Sequence, residues 1–95
     1  MEKIVNIVAV DAYTERQFKK QDGTTEYYRS RGVTMKCGGD TIYGEMTGDL
    51  ASKNRDRQYY MNMLYVVRGN WKHRTWGENN DRHDNVLYIT DLQVL

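Results

Sequence analysis

"MLYVVRGNWKHRTW", residues 63–76, is the stretch on which the fold turns. It begins as a buried strand, with Tyr65, Val66 and Val67 in a row, and ends with bases set between two tryptophans. Side chains alternate across a strand. Tyr65, Val67, Gly69 and Trp71 therefore share one face, which is assigned to the core. Arg68, Asn70, Lys72, Arg74 and Trp76 share the other. This second face offers cations, an amide and a flat ring. A lone polynucleotide strand asks for that set: its phosphates need a basic track, and its unpaired bases have π-faces to stack. Solvent-facing strands also carry Arg and Lys for solubility and to blunt an edge. The pattern alone leaves both readings open.

Working outward, "GENNDRHDN" (77–85) is a polar loop and "VLYITDLQVL" (86–95) a last strand. Upstream, "DLASKNRDRQ" (49–58) is the helical segment, with Asp49 as N-cap and Ala51 to Gln58 favouring helix. "TIYGEMTG" (41–48) is a third strand. Ile42, Gly44, Met46 and Gly48 take one face, and Thr41, Tyr43, Glu45 and Thr47 the other. "YYRSRGVTMKC" (27–37) is a second strand whose alternation slips at Gly32, the mark of a bulge or bend. Asp22-Gly23 is a hairpin signal. "KIVNIVAV" (3–10) is apolar on both parities, so it reads as a strand buried on both sides, continuing into "DAYTERQF".

Five strands with one short helix between the third and fourth is the element order of an OB-fold, an all-β, five-stranded Greek-key barrel. Closing so small a barrel needs bent strands, and Gly32, Gly44, Gly48 and Gly69 fall where strands are expected to bend.

The bulk numbers agree. Ninety-five residues fit one domain, 1–95. A chain this short buries only about 60–65% of its unfolded surface, which leaves no room for two lobes around a substrate cleft. A net charge of +1 does not announce a nucleic-acid binder. Distribution matters more than the sum. Arg29, Arg31, Arg68, Lys72 and Arg74 fall in expected strands, and Asp22, Glu26, Asp40, Glu78, Asp81 and Asp84 in or beside expected turns. Positive charge should then collect on sheet surface and negative charge at loop tips. Cys37 stands alone, so no intrachain disulfide forms, and it reads as a small buried hydrophobe. "IVNIVAV" is too short to span a bilayer and lacks a secretory cleavage site. A reducing, cytoplasmic setting is expected.

Leu64 to Leu95 resembles the second half of bacterial-type single-stranded DNA-binding proteins. In that family a strand close to V-Y-V-E-G-x-L-R-T-R-K-W precedes a polar loop and a last strand ending near M-Q-M-L. Here Gly69, Arg74, Trp76, Gln93 and Leu95 fall in matching places. "TGDLASK" (47–53) is similar to the family's F-G-K-L-A segment, and "RQFKKQDGTTEY" (16–27) to its first hairpin. The resemblance spans nearly the whole chain. It implies a homo-oligomeric OB barrel that binds single-stranded DNA with little sequence preference, in replication, recombination or repair of a bacterial, phage or mobile-element genome. Two departures stand out. Positions where family members often place aromatics hold Thr41 and Thr47, with Tyr43 on the same face as a substitute, so weaker binding is expected. The acidic-tipped tail beyond the barrel is absent from the sequence, so a bare module is expected, and a tailless primosome-type relative is a second identity.

The expected nucleic-acid contacts are thus Lys72, Arg74, Arg68, Arg29 and Arg31 for phosphates, and Trp76 for stacking. Tyr28 and Tyr43 serve as further platforms, with Lys19 and Lys20 beside Phe18 at the first hairpin. Tyr65, Trp71 and Tyr88 are expected to be buried. Tyr59, Tyr60 and Met61 read as core or subunit contact, and strand one as a subunit contact. RNA is not excluded as ligand. No cofactor or small-molecule substrate is implied. His73, His83 and Cys37 are not closely spaced in sequence and give no metal set. "DRHD" (81–84) lacks the convergent carboxylates of a nuclease, and no Ser-His-Asp or phosphate-loop pattern occurs, so no catalysis is expected. The competing class is an interaction or assembly module, since OB barrels also hold partner subunits.

Overall fold

The computed structural model describes residues 1–95. The chain runs β1 (Glu2–Val10), β2 (Thr14–Lys19), β3 (Thr25–Cys37), β4 (Asp40–Thr47), α1 (Gly48–Lys53), β5 (Leu64–Trp76) and β6 (Arg82–Val94). The sheet order is β1-β5-β6-β4-β3-β2, and β1 also pairs with β3. That extra pairing closes the ring β1–β3–β4–β6–β5, a barrel of the expected OB type. Its one parallel contact joins β4 to β6, at Gly44↔Leu87 and Glu45↔Tyr88. No helix is long and apolar enough to cross a membrane.

The expected first strand is broken in two. Asn6 to Val10 pair with β3 near Lys36–Val33, while Thr14 to Lys19 pair with β3 further on, at Ser30–Thr25. Between them the chain turns a corner of the barrel. There the Asp11 amide donates to the Gly32 carbonyl. The hairpin signal at Asp22-Gly23 is used: Gly23 sits at φ +87°, and Asp22 accepts from the Thr24 amide and hydroxyl.

Inward-facing residues of every barrel strand meet in one core: Val5, Ile7, Val33, Met35, Ile42, Met46, Tyr65, Val67, Leu87, Ile89 and Leu92, with Ala51 of α1. Each fully buried side chain of this kind is worth roughly 1.5–3 kcal/mol over an exposed one. The expected alternation of β4 is observed at Ile42, Gly44 and Met46, all buried, whereas Gly48, expected on the same face, is the exposed first residue of α1. The buried Tyr65 hydroxyl is satisfied by the Tyr60 amide, and Tyr59 packs edge-on against the Tyr65 ring.

The helix is shorter than expected. Thr47, not Asp49, takes the N-cap position, without a side-chain capping bond, and the helix ends at Lys53 instead of continuing to Gln58. The reason is tertiary. The Arg31 guanidinium donates to the carbonyls of Asn54 (2.6 Å) and Arg57 (2.8 Å), and the first of these would have accepted from the Gln58 amide in a helix continued that far. Arg57 in turn donates to the Leu92 carbonyl and lies over the Tyr59 ring.

Two expectations about burial are corrected. Trp71 is 51% exposed, not core. It lies on the core-facing parity of β5 but past the core, whose β5 members are Tyr65 and Val67. From Lys72↔Val86, past the β4 pairing at Gly44↔Leu87, β5 and β6 run on as a two-stranded arm, paired as far as Trp76↔Arg82. Tyr88 is half-buried on the outer face, also not core. The register jumps from Arg68↔Asp91 to Gly69↔Ile89, so Thr90 is an extra residue in β6. Such a bulge reverses the parity beyond it. Leu92 points inward, yet so do Ile89 and Leu87, and Tyr88 is turned out.

Candidate nucleic-acid interface

One outer face of the barrel, crossing β5, β6, β4, β3 and β2 in turn, gathers several aromatic rings and several basic side chains. Alternation places Lys72, Arg74 and Trp76 of β5 together, and their cross-strand partners on β6 are Val86, Asp84 and Arg82. The Arg82 guanidinium lies 5.4 Å from the Trp76 ring centre. Lys72 Nζ lies 4.7 Å from the Tyr88 ring centre. Arg74 lies 6.0 Å from the Tyr43 ring on β4, so the arm leans toward the barrel wall. The Tyr28 hydroxyl, on β3, donates to Glu45 at 2.8 Å and also approaches Tyr88. Across the next strand pair, Arg16 of β2 lies 5.9 Å from the Tyr28 ring. Phe18, 45% exposed, follows on the same face toward the hairpin tip. The result is a run of ring-and-cation pairs from Trp76 to the first hairpin.

Cation–π pairs of this kind hold a ring and a positive charge side by side. A base can stack on the ring while its phosphate meets the cation. Each Tyr ring is also held in place. The Tyr43 hydroxyl donates to Asp11 at 3.1 Å. Partial burial, then the Asp11 bond, raises the Tyr43 hydroxyl above its usual pKa. Burial and the Glu45 bond raise Tyr28 further, so both stay neutral donors. The Tyr43–Asp11 pair crosses directly above Gly32, where any Cβ would strike both side chains.

Of the residues expected at the interface, Trp76, Arg74, Lys72, Tyr28 and Tyr43 come together here. Trp76 is 48% exposed. Lys20 shares the Phe18 side of the hairpin but is ion-paired with Glu26. Lys19 and Arg29 lie on the opposite face, where Arg29 meets Glu15 at 3.3 Å. Arg31 is turned toward the helix end, with its donors committed to the carbonyls of Asn54, Arg57 and Asp11. Arg68 is on the outer parity of β5 but beyond the bulge, paired across the barrel seam with Glu2 at 3.4 Å.

Sequence reasoning missed Tyr88, Arg16 and Arg82. Tyr88 was hidden by the bulge at Thr90. Arg82 sits in a stretch read as loop that is in fact strand. The expected segregation of charge is also corrected. Asp84 is not at a loop tip: it lies on β6 opposite Arg74 and accepts from Nε at 2.7 Å and Nη2 at 3.1 Å. The reverse face of the arm brings His73 and His83 together, stacked, with Nε2 and Nδ1 3.0 Å apart. No group of three or more His, Cys, Asp or Glu side chains gathers there or elsewhere in the structure.

No protein-family model matches this chain, and no curated protein does at a significant level. Among solved structures it is similar to the second OB-fold domain of replication protein A from Methanococcus maripaludis. That match has a TM-score of 0.62 at 16% identity, covering 99% of this chain and 81% of that one. It is also similar to the SSB domain of a protein from Synechococcus sp. Here the TM-score is 0.58 at 13% identity, covering 98% of this chain and 91% of that one. The fold is therefore the OB-fold.

Proposed function

We propose that this chain, as a single binding unit, holds single-stranded DNA with little sequence preference on the face that runs from Trp76 to Phe18. The observation that supports this best is the interleaving of rings and cations along one surface: Trp76 with Arg82, Tyr88 with Lys72, Tyr43 with Arg74, Tyr28 with Arg16. Flat rings serve any base, because every base has a π-face, and cations serve the backbone. No base-reading set of polar side chains is needed. The likeness of the fold to a replication protein A domain and an SSB domain agrees with this reading. The role fits replication, recombination or repair of a bacterial, phage or mobile-element genome in the cytoplasm of its host cell. Catalysis and cofactors have no part in it.

A homo-oligomer would lengthen the track. Ile4, Leu64, Met61 and Leu95 expose apolar surface along the β1–β5 seam, which favours that seam as the contact between copies.

The test is a titration with oligo(dT) at rising salt, read by tryptophan fluorescence. Quenching by oligo(dT), with affinity falling steeply as salt rises, is expected. An absence of quenching at low salt would instead favour an assembly module that binds protein. A parallel titration with oligo(U) sets DNA against RNA.

A further inference from the structure

One cation of the proposed track, Arg74, is already occupied. Arg74 presents its Nε and Nη2 to the two oxygens of Asp84, at 2.7 and 3.1 Å. This is the forked geometry in which guanidinium recognises carboxylate and phosphate alike. Asp84 thus stands where a phosphate would stand. The pairing is built into the sheet, because Arg74 and Asp84 are direct cross-strand partners in β5 and β6. The other exposed Arg–carboxylate contacts are looser: Arg68 meets Glu2, Arg29 meets Glu15 and Arg55 meets Asp56 through one nitrogen each, at 3.4, 3.3 and 3.8 Å. Lys72, two residues from Arg74 on the same face, has no carboxylate partner and rests on Tyr88.

We propose that Asp84 is an internal competitor for phosphate, filling the Arg74 fork until the nucleic-acid backbone displaces it and so setting the affinity of the interface below its maximum. This rests on the nucleic-acid reading given above. Exchange at the fork replaces one oxyanion by another, so Arg74 need never be left without a partner as a strand arrives or leaves. That favours ready release and movement along the strand over tight holding. The competitor stays charged under ordinary conditions, since hydrogen bonds from Arg74 hold the Asp84 carboxyl below the usual carboxylate range. The fork is therefore opened by a competing phosphate and not by mild acid. Tyr43 with Asp11 and Tyr28 with Glu45 repeat the theme at the rings, each held by an acid on the same face.

The experiment is a double-mutant cycle on oligo(dT) affinity at low salt, using the full chain with Asp84→Asn, Arg74→Ala and both together. Circular dichroism on each checks the fold, and Asp84→Ser serves as a second variant free of amide hydrogen bonding to Arg74. Asp84→Asn is expected to tighten binding roughly two- to fivefold, the range of an exposed ion pair. That gain should vanish when Arg74 is absent. An equal gain with and without Arg74 would show that Asp84 acts only as one more negative charge, and the competitor is overturned. Weaker binding by both Asp84→Asn and Asp84→Ser would make Asp84 a support for Arg74, which overturns the competitor as well. If the unaltered protein and all variants fail to bind at low salt, the nucleic-acid reading itself falls, and the proposal with it.

Discussion

In the proposed interface Trp76 and Lys72 would do different work. The Trp76 ring is half exposed at the end of β5 and has Arg82 beside it. Lys72 carries charge that no acid neutralises. Trp76→Ala is expected to cost roughly 1–3 kcal/mol of oligo(dT) binding while leaving the salt dependence nearly intact, because stacking is not ionic. Lys72→Ala should instead reduce the slope of log K against log[salt] by about 0.7, the value for one lost phosphate contact on a single strand. Binding isotherms over a salt series separate the two. Unchanged affinity in Trp76→Ala would remove the stacking role. Arg31 shows how residue type can mislead. A strand arginine in a row of bases looks like a phosphate ligand, yet its partners are three backbone carbonyls from two other segments. The local sequence carries no sign of them.

At the scale of the element, β6 governs the interface more than β5 does. Its extra residue, Thr90, turns Tyr88 onto the outer face and aligns Asp84 with Arg74. The β5 side of that bulge is Gly69, and a Cβ there would strike the Tyr88 backbone carbonyl. A backbone atom in a paired strand cannot swing aside as a side chain can. Gly69 also bonds through its amide and carbonyl to Met1, tying the start of β1 to the base of the arm. Gly69→Ala is therefore expected to destabilise the fold by about 1–3 kcal/mol, as forced overpacking does. Urea unfolding measures it, and a variant as stable as the parent would mean the strands separate more easily than this packing implies. The arm is the part of β5 and β6 that runs past the β4 pairing at Gly44↔Leu87.

For the whole molecule, the titrating groups frame a window of stability. Asp22, held by Thr24, and Asp84, held by Arg74, both have pKa values below the ordinary 3.8. A carboxyl depressed by folding contributes stability above its unfolded value and loses it as pH falls through the folded one. Tyr28, Tyr43 and Tyr59 are displaced upward from 10.0, chiefly by burial. Their contribution is complete below about pH 10 and declines above it. Thermal melts should thus show a plateau from about pH 5 to 9, a fall in Tm below about pH 4 and another above about pH 10. A Tm that holds steady down to about pH 2.5 would contradict the role given to the two aspartates.

The succession of elements from β3 onward, the place of the single helix, the Asp22-Gly23 hairpin and the alternation along β4 and β5 follow from local signals. Alternation, turn residues and glycine positions act over a few neighbours, so the chain by itself determined an OB barrel with bases and a ring on one strand face. What lay beyond it was contact between distant segments. Strand β5 runs on past the core and leaves Trp71 bare, and the bulge at Thr90 reverses Tyr88. Carbonyls freed at the end of α1 capture Arg31, and register brings Asp84 to Arg74. Each depends on which strand lies opposite, and period-two patterning within one strand holds no record of its partner.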